Sequence, residues 1–203
     1  MLKSLFGQLA GGRGCDDTGS LHVMAPGDLL VWVDILCGAA ILTPFTPAEA
    51  KIAARYVTSR QFQEQQVMIE QGASTGVDFM LWVLQGEAAF EAMMPGTSQA
   101  VTVKVLGVGD GLGIMSLIDG GARSLQGVAI VPTRCAVLTR TRLQALCREH
   151  PGVGVKLMSL LCLIVSATLR DLTGKFKCHV RLNHALSAEL RGFESGPTRP
   201  GAL

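Results

Sequence analysis

From Gln66 to Leu138 the sequence is cut into short apolar runs, each closed by glycine or proline. Gln66–Glu70 ends at Gly72, and Val77–Leu84 ends at Gly86. Ala88–Met93 stops before Pro95-Gly96. Ala100–Leu106 alternates through Val101, Val103 and Val105. Gly127–Val131 and Cys135–Leu138 stand on either side of Pro132. Runs of this length with turn residues between them read as strands. Many short strands in succession require a mainly β fold that closes its own edges, a sandwich or a jelly roll.

Helical patterns flank these strands. Leu29, Leu30, Trp32, Val33, Leu36 and Cys37 share a helical spacing. Thr46-Pro47-Ala48-Glu49 is a helix start: Thr46 can cap, Pro47 suits the first position, and Glu49 can reach back to complete a capping box. This helix is expected to run to Val57 with Ile52, Ala53 and Tyr56 facing inward. Helical character returns at Thr141, with Leu143 and Leu146 on one side, and stops before Pro151. A long helix follows in which Met158, Leu161, Val165, Thr168 and Leu172 keep a 3-4-3-4 spacing, a heptad seam. Leu157, Leu160 and Ile164 form a second apolar face, so this helix is buried on two sides, either as the core helix of a monomer or between two chains. Val180, Leu182, Leu186 and Leu190 extend the apolar pattern more weakly. Glycine-rich residues 1–27 read as a leader and 192–203 as a tail without regular structure.

The segment Leu106–Ser124 is of a different kind. Glycines at 107, 109, 111 and 113 precede a short apolar step, Met115–Ile118, and Arg123-Ser124 closes it. Glycine admits positive φ and a close backbone approach. Successive N–H groups in such a bend form an anion-binding nest, and an arginine just beyond can grip a phosphate in two places. By spacing alone the stretch is equally a glycine-rich turn followed by a surface arginine.

Gly109-Asp110-x-x-Gly113-x-Met115-Ser116-Leu117 followed by Arg123-Ser124 resembles the phosphate-binding cassette of cyclic-nucleotide-binding domains, in particular the sensor half of Crp/Fnr-type (catabolite activator protein-like) regulators. The resemblance covers residues 45–175. It implies a cyclic-nucleotide-binding-like β-jelly roll (double-stranded β-helix) over residues 45–150, after an N-terminal leader and helix over 1–44. A dimerisation helix and extension over 151–190 and a tail over 191–203 complete the chain. It also implies a ligand site of Gly113, Ile114, Met115, Ser116, Arg123 and Ser124, with Thr168 on the long helix meeting the base, and a homodimer through Met158, Leu161, Val165 and Leu172. In the family a glutamate directly after the last glycine holds the ribose hydroxyl. Here that position is Ile114, which offers no acceptor. Cyclic AMP, cyclic GMP or a cyclic dinucleotide is therefore expected to bind weakly or in a non-standard way, and to signal to an unidentified protein partner. The other reading is a ligand-free dimeric scaffold with a degenerate site. Transcriptional members carry a helix-turn-helix domain at this point. The 30 residues after Thr173 do not accommodate one, so sequence-specific DNA binding is not expected.

Composition excludes other classes. Hydrophobic residues make up 48% and charged residues 17%, as in a folded chain with a large core, and the net charge of +2 points to neither nucleic acid nor a membrane. Leu29–Leu42 contains Asp34 and Val153–Leu169 contains Lys156, so both are expected as buried helices and not as membrane spans. Cys15, Cys37, Cys135, Cys147, Cys162 and Cys178 include no C-x-x-C pair, which fits reduced thiols in a cytoplasmic protein. His22, His150, His179 and His184 all lie outside the strand region, so a cupin-type metal site is not expected. Neither a catalytic constellation nor a cofactor-binding motif stands out, and the expectation is a regulatory protein, not an enzyme.

Overall fold

The computed structural model describes residues 24–94 and 100–194. The leader up to residue 23, the Pro95-Gly96 turn and the tail from residue 195 lie outside them, as does the Leu190 side chain. The chain divides into two compact units, Met1–Leu161 and Cys162–Leu203.

The first unit is a jelly roll of two four-stranded antiparallel sheets. One has the order β1 (Thr58–Phe62), β8 (Thr133–Thr139), β3 (Phe79–Gln85), β6 (Gly111–Leu112). The other has the order β2 (Val67–Ile69), β7 (Gln126–Ala129), β4 (Ala88–Met93), β5 (Ala100–Leu106). Phe62, Ile69, Leu81, Val83, Leu112 and Val137 fill the space between the sheets. Each strand expected from the apolar runs is present with edges shifted by a few residues. Two were not expected. β1 is mostly polar, Thr-Ser-Arg-Gln-Phe, and only Phe62 is buried. β6 is two residues inside the glycine stretch, paired with β3 through Leu81↔Leu112 and Trp82↔Gly111. Gly86 ends β3 at φ 87°, where a Cβ would meet the Pro132 carbonyl oxygen at 2.6 Å, so the turn requires glycine.

Among the described residues, four helices flank the sheets in this unit: α1 (Pro26–Gly38), α2 (Pro47–Ala54), α3 (Ile114–Asp119) and α4 (Arg140–Glu149). A fifth, α5 (Pro151–Glu194), begins here. α1 starts inside the stretch read as leader. Asp28 in its first turn is buried and accepts from Ser59 Oγ at 2.8 Å and Arg134 Nη1 at 3.0 Å, which anchors the helix to β1 and β8. α2 has the expected capping box: Thr46 Oγ1 accepts from the Glu49 N–H, and Glu49 accepts from the Thr46 N–H. It ends at Ala54, three residues early, and buries Ala50, Ala53 and Ala54, while Ile52 and Tyr56 remain half-buried. Glu49 also takes Lys156 Nζ on both oxygens, at 2.8 and 2.7 Å, and Lys156 donates to the Pro44 carbonyl as well.

The start of α5 belongs to the core of this unit: Val153, Leu157, Leu160 and Leu161 are buried. At Gly154 a Cβ would lie 2.9 Å from Cys147 Cα, so α4 and α5 approach as closely as backbone allows. By length and composition, Pro151–Ala188 is also long and apolar enough to cross a membrane. In the second unit α5 runs on without a break to Glu194, so no helix-turn-helix follows α4 among the described residues. Leu169, Leu172, Phe176 and Leu182 on this part are exposed.

The Lys156 ammonium and the two Thr46 donors hold the Glu49 carboxyl far below its ordinary value, from 4.5 down to about 2. A depressed carboxylate contributes stability that is complete above its unfolded value and is lost as pH falls through the folded one. Unfolding free energy should therefore drop between pH 4.5 and about 2. In Glu49→Gln that part of the slope should flatten, as read from urea titrations at stepped pH.

Candidate ligand site at the glycine cassette

The cassette leaves β5 at Leu106 and turns at once. The Gly107 N–H donates to the Asp110 carboxylate at 3.0 Å, and the Asp110 N–H to the Gly107 carbonyl at 3.0 Å. Lys104 Nζ meets the same carboxylate at 3.2 Å. The next contacts dock the turn on β3. The Gly109 N–H reaches the Val83 carbonyl, the Val83 N–H reaches the Asp110 carbonyl, and Trp82 Nε1 donates to the Gly109 carbonyl, each at 3.0 Å. Asp110 is thus fully employed in shaping the turn.

Gly113 then takes φ 80° and starts α3. Helix α3 is one and a half turns long and is held chiefly at its far end. Gly120, also left-handed, returns its N–H to the Ser116 carbonyl at 3.0 Å. Arg140, the first residue of α4, donates Nε to the Leu117 carbonyl and Nη2 to the Ser116 carbonyl, both at 2.8 Å. A cation on the last carbonyls of a helix satisfies its orphan acceptors and opposes its dipole.

Arg123 follows three residues after Gly120. Its backbone pairs with the turn at 72–73: its N–H donates to the Ala73 carbonyl at 2.9 Å, and its carbonyl accepts from the Gly72 N–H at 2.8 Å. Its side chain runs inward. Nη1 donates to the Gly113 carbonyl at 2.9 Å, Nη2 donates to the Phe79 carbonyl at 2.7 Å, and the guanidinium lies 4.7 Å from the centre of the Phe79 ring. Only 4% of the residue is exposed. Burial pushes the Arg123 pKa down from its ordinary value, and the nearby Asp78 charge acts in the opposite sense. Among the described residues no carboxylate comes within 4.0 Å of it.

The residues marked in the sequence are thus placed as follows. Gly113 and Arg123 are brought into direct contact. Ile114 and Ser116 are buried on the inner side of α3, at 6% and 4% exposure, whereas Met115 is 60% exposed on its outer side. Ser124 is exposed. Thr168 belongs to the second unit, where it is exposed and donates its hydroxyl to the Ile164 carbonyl at 2.9 Å. Of the four residues assigned to a dimer seam, Leu161 requires correction. It is fully buried within its own unit and has no surface to give a second chain. Met158 and Val165 are half-buried, and Leu172 is 47% exposed. Phe79 and Arg140 were not identified from sequence. Phe79 contributes a carbonyl, which no residue type announces, and Arg140 precedes the stretch read as helical.

The cyclic nucleotide-binding domain family matches residues 59–150. Solved structures similar to this chain include the following. A cyclic nucleotide-binding domain from Methylobacillus flagellatus KT is 26% identical over 70% of this chain and 79% of its own, with a TM-score of 0.65. The catabolite activator protein of Thermus thermophilus is 26% identical over 69% of this chain and 61% of its own, with a TM-score of 0.54. The regulatory domain of Toxoplasma gondii PKA, solved with cAMP, is 21% identical over 71% of this chain and 48% of its own, with a TM-score of 0.52, a likeness of fold. The chain therefore spans less than two thirds of the Thermus regulator. No curated protein matches it.

A Cβ on Gly113 would sit 2.1 Å from Arg123 Nη1, at a backbone φ that L residues avoid. Gly113→Ala should cost about 1–3 kcal/mol for the backbone conformation, and the displaced guanidinium adds to it. Chemical denaturation would show the loss.

Proposed function

We propose that this chain, which carries a cyclic nucleotide-binding domain over residues 59–150, is a regulatory module whose cassette takes a small phosphorylated ligand on Arg123. The burial of the Arg123 charge supports this reading most directly. A guanidinium shielded from water, with two backbone carbonyls and the Phe79 ring as its contacts and no carboxylate within 4.0 Å, carries a desolvation cost that these contacts offset only in part. A phosphate oxyanion brought to its remaining N–H groups would supply the missing countercharge. The guanidinium is also held by two fixed acceptors, so little side-chain entropy is left to lose on binding.

Ile114 narrows the ligand. It is buried and aliphatic at the position where the family places an acceptor for the ribose hydroxyl. A hydroxyl without that acceptor forgoes a charge-assisted bond of about 1.5–3 kcal/mol, or roughly 10- to 150-fold in affinity. Cyclic AMP and cyclic GMP are thus weak ligands, and a phosphorylated or cyclic-dinucleotide ligand with fewer demands at that point fits better. The second reading, a scaffold without ligand, draws on the same Ile114.

Calorimetry with cyclic mono- and dinucleotides separates the two. Ile114→Glu should tighten cyclic AMP by the factor above, and Arg123→Ala should abolish anion binding while the fold, checked by circular dichroism, persists. Binding that ignores both substitutions, or no binding by any of the three proteins, leaves the scaffold.

We further read the module as a cytoplasmic homodimer. Val165, Leu169, Leu172 and Phe176 on the second unit keep 3-4 spacing, and all but the half-buried Val165 are exposed. This moves the interface one turn beyond Leu161. Sedimentation should show a dimer at micromolar concentration and a monomer for Leu169→Asp/Leu172→Asp.

A further inference from the structure

The row Val165, Leu169, Leu172 and Phe176 does not stop at Phe176. Continued in the same 3-4 steps, it reaches His179, Asn183 and Leu186. Every residue from Ser166 to Ala188 on this part of α5 is exposed. Leu169, Leu172, Phe176 and Leu186 are exposed by 63%, 47%, 69% and 49%, so the large apolar side chains of one row lie open. The other large apolar residues of this stretch, Val180 and Leu182, border the row beside His179 and Asn183. A helix takes most of its stability from whatever covers its apolar face. Two polar side chains set into that face therefore constrain what the cover is.

We infer, resting on the homodimer reading above, that His179 and Asn183 are polar layers inside the seam between two copies, and that they make the pairing parallel, in register and sensitive to pH. A second copy suits this row because the row complements itself. In a parallel pair each row residue meets its own counterpart, so the leucines and Phe176 form apolar layers, and His179 and Asn183 form polar ones. Two facing carboxamides donate to and accept from each other. An antiparallel pair that overlaps the whole row would set Asn183 against Val165 or Leu172 instead, with no partner for its amide. Charge agrees with the parallel arrangement. Of the positions flanking the row between 166 and 187, only Lys175 is charged, and the residue that meets it from the other copy is Val180, so no like charges face each other. Lys175 is also held to Asp171 on its own helix at 2.9 Å. The His179 layer behaves differently when it titrates. The imidazole faces its counterpart in the other copy, with Lys175 of both copies one turn before it and Asn183 one turn after. The carboxylate of Asp171 lies two turns back. Neutral rings pack in such a layer. Below about pH 6.5, where a free imidazole takes a proton, two like charges meet across the seam, which favours separate chains.

Sedimentation of the full chain at about pH 7.5 and about pH 5.5, on either side of the imidazole titration, tests the layers. The dissociation constant of the dimer should rise roughly tenfold or more at the lower pH, with the fold checked by circular dichroism at both. His179→Gln should remove that rise, and His184→Gln, one position outside the row, should keep it. His179→Leu is the second neutral variant should the glutamine chain not dimerise. A dimer of equal strength at both pH values, or a rise that the neutral variants leave in place, overturns the His179 layer while the dimer stands. Orientation is read separately. Leu186→Cys, oxidised with copper phenanthroline, should give a cross-link between position 186 of one copy and position 186 of the other in peptide mass spectra. A link from position 186 to Cys162, or no link in an intact dimer, overturns the parallel pairing. Monomer at both pH values, with or without attachment to phosphatidylglycerol vesicles, overturns the dimer reading itself and the layers with it.

Discussion

The guanidinium of Arg123 joins three parts of the jelly roll that strand pairing leaves separate. Its backbone is bound to the turn at Gly72–Ala73, its Nη2 to the first residue of β3, and its Nη1 to the residue that begins α3. The turn at Gly109 is docked on β3 by backbone bonds and the Trp82 indole, whereas strand pairing adds little, since β6 is only two residues long and pairs on one side. Without the arginine each of the two carbonyls would lose a charge-assisted bond of about 1.5–3 kcal/mol, the Gly113 carbonyl keeping the Leu117 N–H at 3.1 Å. Arg140 does the corresponding work at the other end of α3. The cassette is thus suspended between two arginines that reach it from opposite directions in the chain.

Fold class was legible because apolar periodicity and glycine spacing are properties of consecutive residues. The β4 and β5 spans, the Thr46–Glu49 capping box and the break at Pro151 all rest on local chemistry, and the structure has them where the residues put them. What was not legible depends on partners distant in sequence. β1 is polar along most of its length and is a strand because β8 offers it a ladder, from Thr58↔Val137 to Phe62↔Thr133. The heptad seam was placed on Leu161 because spacing does not say which chain covers a residue. Within one chain Leu161 is already buried. Arg123 stood out as a cation near glycines, but its actual partners are backbone oxygens at positions 79 and 113, which no side-chain pattern could reveal.

The likeness to the Methylobacillus domain and the Thermus regulator is one of architecture and length of domain, and the family supports many outputs on that architecture. This chain combines a buried arginine at 123 with an aliphatic Ile114, and its fifth helix begins in the core of the first unit. Its first turns are tied to α2 by an ion pair as well as by buried apolar residues.

The space between Gly113 and Arg123 also constrains how this protein can change by descent. A side chain at 113 is forbidden for as long as the arginine lies across it, and relief of the 2.1 Å contact would still leave the left-handed backbone to be repaired. Loss of the arginine, by contrast, removes the steric objection in one step. The two positions therefore have an order of decay: Arg123 can be lost with Gly113 unstrained, at the cost of the bonds the arginine makes, whereas a side chain placed at 113 first meets the guanidinium and the left-handed backbone together. A lineage abandoning the arginine's contact would record it at position 123 before position 113.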